Sequence, residues 1–282
     1  MRDSEGEESG AHGHRVHARV WLPDDEPTAS VVLVHGLAEH SGRYQRLARH
    51  LVARGYAVHA FDLRGHGRTA GPRSNIGRFD DLVADVAAAV TRARARHASV
   101  PVLLLGHSMG GAVALATALA HPSLVDLLVL SAPAVGADPA VPRLQLIVGR
   151  LLSRIAPSVG ILRLDSAWVS RDADVVRAYD ADPLVFRGSL PARTLVELLG
   201  AMHRFLADVP ALRMPVLVLH GTADRLVPLA FAEPVYARLG SADRTVIRYE
   251  GLYHEVFNEP ERARVLADLD AWLDRQLSPA PT

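Results

Sequence analysis

Residues Gly106-His107-Ser108-Met109-Gly110 separate two apolar runs, Val102-Leu103-Leu104-Leu105 before them and Ala112-Val113-Ala114-Leu115-Ala116 after them. The first run suits a buried strand and the second a helix, so the pentapeptide has to turn one directly into the other. A turn that sharp strains the backbone at Ser108 and pushes its hydroxyl out above the sheet edge. Side chains two positions to either side would strike the neighbouring strand and helix, which is why glycine stands at 106 and 110. Met109 then opens the helix, and its N–H points to where an anionic oxygen would form. A glycine-rich turn can also be a plain tight connection. The rest of the chain must therefore supply a base, an acid and a second oxyanion donor.

Hydropathy alternates strands with helices on both sides of this turn. Strands are expected at 16–21, 30–34, 57–61, 127–130, 215–219 and 245–249, and helices at 43–54, 80–97, 230–239 and 261–276. That alternation builds an α/β fold, a mostly parallel central sheet flanked by helices and joined by right-handed crossovers. It fails between 132 and about 210, where helical patterns continue without a convincing strand. The segment is too long for a simple crossover and too apolar for a linker, so an inserted helical cap over the sheet edge is expected. The division is then an acidic, Gly/Ser-rich flexible tail at 1–13, a core at 14–134 and 211–282, and the cap at 135–210. Within the cap, Leu144, Ile147, Val148, Leu151, Leu152 and Ile155 form one stripe with Arg143, Arg150 and Arg154 beside it. Most of that stripe suits packing on the body; a basic amphipathic helix also suits contact with anionic lipid, and both readings stay open.

Composition removes several chemistries. Formal charge balances to zero over 282 residues, so there is no electrostatic footprint for nucleic acid. All 31 basic residues are arginine, which leaves no lysine for a Schiff base, and the absence of cysteine removes disulfides, thiol catalysis and thiolate metal sites. Histidine, aspartate and glutamate never cluster at ligand spacing and no phosphate-cradling loop appears, so neither metal nor organic cofactor is expected. No run approaches the roughly eighteen apolar residues of a membrane span, and the tail lacks the apolar core of a signal peptide. A cytoplasmic protein is expected, with peripheral membrane contact through the cap as the open alternative.

In a fold of this kind the acid and base follow the nucleophile, in loops after later strands. Asp224 lies in His220-Gly221-Thr222-Ala223-Asp224, just past the strand ending at 219, and His254 lies in Tyr253-His254-Glu255, past the last strand. The order Ser108, Asp224, His254 is the required one. A serine hydroxyl needs a neighbouring imidazole to take its proton, and the imidazole needs a carboxylate to hold its tautomer and steady its charged form. Fourteen histidines make coincidence easy. His107 is expected to point away from the nucleophile, His35 and His220 to cap turns, and Asp62 to stabilise one; Asp138 and Asp165 fall in or beside the cap. The second oxyanion donor should be the Leu37 N–H in His35-Gly36-Leu37-Ala38, beside that of Met109.

These residues resemble the α/β-hydrolase family, and within it the monoacylglycerol lipase branch. The resemblance rests on His35-Gly36-Leu37-Ala38-Glu39-His40-Ser41-Gly42-Arg43-Tyr44, Asp62-Leu63-Arg64-Gly65-His66-Gly67, Gly106 to Gly111, and the segments around Asp224 and His254. The first block is the most specific, and the cap is the part matched least. The resemblance implies hydrolysis of monoacylglycerols to glycerol and fatty acid through an acyl-enzyme on Ser108. It also implies that Glu39 and Arg43 sit near the glycerol end of the pocket; the plainer alternative is an ion pair that staples the oxyanion loop. A broad carboxylesterase or lysophospholipase would share every catalytic residue, whereas dehalogenases and epoxide hydrolases use Asp where Ser108 stands. A non-catalytic descendant of such a fold usually lacks a triad member, and here all three are present.

Overall fold

Aliphatic runs too apolar to face water on either side form the middle of the sheet. In chain order the elements are β1 (Arg2–Ser9), β2 (Arg15–Leu22), β3 (Ala29–Val34), α1 (Gln45–Ala53), β4 (Tyr56–Phe61), α2 (Phe79–Arg96), β5 (Val102–His107), α3 (Met109–Ala120) and β6 (Leu127–Ser131). They continue with α4 (Arg143–Ile155), β7 (Gly160–Leu162), α5 (Ala173–Ala181), β8 (Leu190–Pro191), α6 (Ala192–Asp208), β9 (Val216–Gly221), α7 (Leu229–Ala237), β10 (Arg244–Tyr249) and α8 (Arg262–Leu277). The computed structural model describes residues 1–138 and 143–278, with the backbone alone for 143–147. Eight strands lie in the order β1-β2-β4-β3-β5-β6-β9-β10. The pairs β1–β2 and β2–β4 are antiparallel and the remainder parallel.

Both faces of the central strands β5, β6 and β9 are covered, so each runs through four or more apolar residues without a polar interruption. Along β3, Val32 and Val34 face one core while Val31 and Leu33 face the other, and β5, β6 and β9 repeat the alternation. On one face α1 and α8 pack down, with Trp272 fully buried; on the other lie α2, α3 and α7. The strands end at a common edge, and the loops after β3, β5 and β9 open there.

Between β6 and β9 the chain leaves the sheet. α6 inserts Leu198, Ala201 and Phe205 into the core shared with α2 and α3, and α4 packs on α6. The expectation of helices alone misses β7 and β8, an antiparallel pair three and two residues long, because runs so short carry no periodicity. The α4 stripe is only partly turned inward: Leu152 is half-buried, whereas Val148, Leu151 and Ile155 are exposed. The side chains of Arg143, Leu144 and Ile147 lie outside the described residues.

The N-terminal segment corrects an expectation. Residues 1–13 are not a floppy tail: β1 pairs with β2 from Arg2↔Leu22 to Ser9↔Arg15, and a short helical turn follows at Ala11–Gly13. No apolar stripe holds β1 in place. Glu5 pairs with Arg19 and Arg68, Glu7 with Arg15, and Glu8 with Arg92 and Arg96. All five arginines come from β2 or from beyond β4, so no pattern within the segment itself announces the strand.

Candidate active site

Ser108 sits at the tip of β5 with φ +55° and ψ −122°. The glycines around it are dictated by contact. A Cβ on Gly106 would lie 2.3 Å from the Gly110 carbonyl oxygen, and one on Gly110 would lie 2.3 Å from the carbonyl oxygens of Val34 and His35. A Cβ on Gly36 would come within 3.1 Å of the Ser108 Cβ, so the loop after β3 passes directly beside the serine. Neither the Leu37 nor the Met109 N–H has an acceptor among the described residues, although Met109 is fully buried. Two unpaired amides beside one hydroxyl form a receptacle for negative charge.

Asp224 and His254 meet across the loops after β9 and β10, with His254 Nδ1 2.6 Å from Asp224 Oδ2. The other carboxylate oxygen accepts the N–H groups of Leu226 and Val227, each at 2.9 Å. Burial opposes charge on Asp224, but His254 and a hydrogen bond from His220 outweigh it and hold the carboxyl well below the usual range. Burial likewise pushes His254 down, and Asp224 reverses this, so its pKa ends above the ordinary 6.5. No hydrogen bond joins His254 to Ser108 among the described residues; the two face each other as walls of one cavity. Uncomplexed enzymes often hold this contact long until a substrate arrives.

That cavity is about 380 Å³ and lies between the sheet edge and the segment that runs from β6 to β9. Ser108, Leu37, Met109 and His254 line its floor, and Leu164, Val169, Leu190, Leu195 and Met202 line its roof. Glu39 and Glu255 form an acidic wall, and Asp138 is a further carboxylate in the lining. Among the described residues no group of three His, Asp or Glu side chains could hold a metal ion, and no helix is long and apolar enough to cross a membrane.

Three neighbours differ from expectation or escaped it. His107 turns toward the site and not away: its ring centroid lies 4.6 Å from that of His254, the planes tilted by 55°, its Nδ1 lies 3.0 Å from Ser131 Oγ, and burial pushes its pKa down to about 4. His220 does more than cap a turn, because its Nε2 lies 2.9 Å from the Val227 carbonyl and 3.3 Å from Asp224 Oδ2 while Tyr236 bonds its other nitrogen. The i, i+4 spacing of His220 and Asp224 was the available signal. Nothing in the sequence around Glu255 marks a role for it, and in the structure it takes both Nη atoms of Arg43. Asp62 behaves as expected, accepting from Ser41 and the Arg68 N–H to brace its turn. Asp165 caps a cap helix, and Asp138 lines the cavity.

A parallel sheet of this order with a serine presented at the tip of β5 is the architecture of the α/β-hydrolases, and the chain is a serine ester hydrolase of that class. Residues 25–261 match the family described as serine aminopeptidase, S33, and the chain belongs to that family. It is 42% identical to a monoacylglycerol lipase of Mycolicibacterium smegmatis over 96% of each chain. It is 35% identical to the monoglyceride lipase of Homo sapiens, over 96% of this chain and 91% of that one. Among solved structures, the monoacylglycerol lipase of Paleococcus ferrophilus superposes with a TM-score of 0.83 at 30% identity, over 93% of this chain and 99% of that one.

Proposed function

We propose that the protein hydrolyses monoacylglycerols to glycerol and a fatty acid through an acyl-enzyme on Ser108. One observation carries this reading: a single cavity has an apolar roof suited to an acyl chain, a serine flanked by two unpaired amides, and an acidic wall suited to hydroxyl donors. The similarity to monoacylglycerol lipases over nearly the whole chain supports it. Ser108 Oγ attacks the ester carbonyl carbon while His254 Nε2 takes the hydroxyl proton. The N–H groups of Leu37 and Met109 receive the developing oxyanion, each contributing a few kcal/mol of transition-state stabilisation. His254 then returns the proton to the glycerol oxygen as that bond breaks. A water, deprotonated by the same nitrogen, releases the fatty acid. Asp224 holds the Nδ1 proton, so that Nε2 is the basic nitrogen, and steadies the imidazolium. Glu39 faces the glycerol hydroxyls, and Arg43 stands behind it. The roof formed by 135–210 serves as the cap.

The cap also offers a route to lipid. Val148, Leu151, Ile155, Ile161 and Leu162 are exposed beside Arg150, Arg154 and Arg163, and Leu162 lines the cavity as well. Apolar side chains rimmed by arginine and continuous with the cavity wall suit peripheral contact with an anionic membrane or micelle, from which the substrate would pass inward.

The test compares kcat/KM for 1- and 2-monoacylglycerols, a lysophospholipid and short p-nitrophenyl esters, with Ser108→Ala and His254→Ala as controls. Monoacylglycerols should lead, and both variants should fold yet lose turnover, Ser108→Ala with its fluorophosphonate labelling. Near-wild-type turnover in either variant would end the triad assignment. A lysophospholipid or short ester in first place would replace the substrate class.

A further inference from the structure

Resting on the roles just given to Ser108, His254 and the Leu37 amide, we propose that Arg43 is a positioning residue that locks the oxyanion loop to the loop carrying the base, through a buried Glu39–Arg43–Glu255 bridge. Arg43 Nη1 donates to Glu39 Oε2 and to Glu255 Oε1, each at 2.6 Å, and Nη2 donates to Glu255 Oε2 at 2.8 Å. Glu39 Oε1 accepts the Gly36 N–H at 2.6 Å and the Tyr44 hydroxyl at 2.7 Å. Gly36 precedes Leu37, and Glu255 follows His254. The chain of contacts therefore runs unbroken from the peptide that binds the oxyanion to the residue that moves the proton.

The bridge is rigid by construction. Its side chains are 3%, 7% and 11% exposed for Glu39, Glu255 and Arg43. Asn258 donates to Glu255 at 2.9 Å, the Glu255 N–H bonds the Val169 carbonyl of the cap, and the guanidinium lies 4.7 Å over the Tyr179 ring of α5. Arg43 is not among the side chains that line the cavity, so it works through its neighbours and not on the substrate. A guanidinium suits the site because Nη1 reaches both carboxylates while Nη2 takes the second oxygen of Glu255, a bidentate grip that the single nitrogen of an ammonium does not reproduce.

The bridge also sets the charge around the base. Two carboxylates and one guanidinium leave a net negative charge beside His254. His254 is faced by Asp224 from the loop after β9, by neutral His107 from the end of β5, by Glu39 from the loop after β3 and by Glu255 from its own loop, with Arg43 held between the two glutamates; Asp138 lines the same cavity. Removing a negative partner should make His254 easier to deprotonate, and removing the positive one harder. The two substitutions thus move the acid limb of the pH profile in opposite directions, which loss of packing alone would not do.

Three variants separate geometry from charge. Each is assayed for monoacylglycerol turnover and for nitrophenolate release on phosphonylation of Ser108 by an alkyl p-nitrophenyl phosphonate, which reads the oxyanion hole and base without regard to natural substrate. Arg43→Lys keeps the charge and loses the fork: kcat and the phosphonylation rate should fall about tenfold or more, with KM within about twofold and the acid limb unmoved. Glu255→Gln, nearly isosteric, should shift the acid limb to lower pH, and Arg43→Met to higher pH, each by about half a unit or more. If Arg43→Met does not fold, Arg43→Lys and Glu255→Gln decide the matter. A raised KM with unchanged kcat and phosphonylation would overturn the proposal by making Arg43 a substrate contact. Wild-type rates and pH profiles in the folded variants would overturn it as well. A wild-type protein that is phosphonylated but turns over no monoacylglycerol would defeat the substrate class instead, and the bridge would stand or fall on the phosphonate rates.

Discussion

Ser108 pays for its exposure with backbone strain. A non-glycine residue at positive φ costs roughly 1–3 kcal/mol, and here β5, α3 and the glycines at 106 and 110 hold it there. His254 answers that strain with a perturbed titration: its folded pKa lies above 6.5, so it stays charged to a higher pH than a free imidazole. In the proposed mechanism only the neutral ring accepts the serine proton. Activity should therefore fall as pH drops through a midpoint above 6.5, and kcat/KM measured across pH checks this. A midpoint at or below that value would mean that Asp224 does not govern the base. Chain order alone picked out Ser108, Asp224 and His254. It missed the roles of His107, His220 and Glu255, because each acts by facing a partner brought in by the fold.

α4 behaves differently from the core helices. Its stripe has the spacing of a packed face, yet Leu151 is 59% and Ile155 72% exposed. Spacing reports that one side of a helix is apolar; it does not report whether protein or lipid covers that side. With Arg150 and Arg154 alongside, lipid is the proposed cover. Leu151→Asp together with Ile155→Asp should weaken binding to anionic vesicles and lower turnover of vesicle-embedded substrate several-fold. Turnover of a dispersed short-chain ester should stay within about twofold. Equal vesicle binding by variant and wild type, measured by flotation, would remove the cap from that role.

Across the whole molecule the sheet ends at one edge on β1, held by ion pairs to arginines from β2, α2 and the loop after β4. Single surface pairs contribute little, but here they accompany an eight-residue ladder that covers the edge of β2. Deleting residues 1–9 should lower Tm by about 5 °C or more and promote association through the bared strand. A truncated protein that melts within about 1 °C of the full chain and stays monodisperse would mean that β1 adds nothing. The parallel strands, their helices, the strand–turn–helix at Ser108 and the chain order of Ser108, Asp224 and His254, the proposed triad, were all legible in the amino-acid sequence. Each is governed by periodicity or by sterics within a few residues, and such rules operate before the chain is folded. The seating of β1, the outward face of α4, the β7–β8 pair and the Glu255 half of the Arg43 bridge were decided by tertiary structure, whereas the Glu39 half, an i, i+4 ion pair, was open to a reading of the sequence. Most of the deciding partners lie tens to hundreds of residues apart, and charge complementarity or shared burial over that distance leaves no local pattern.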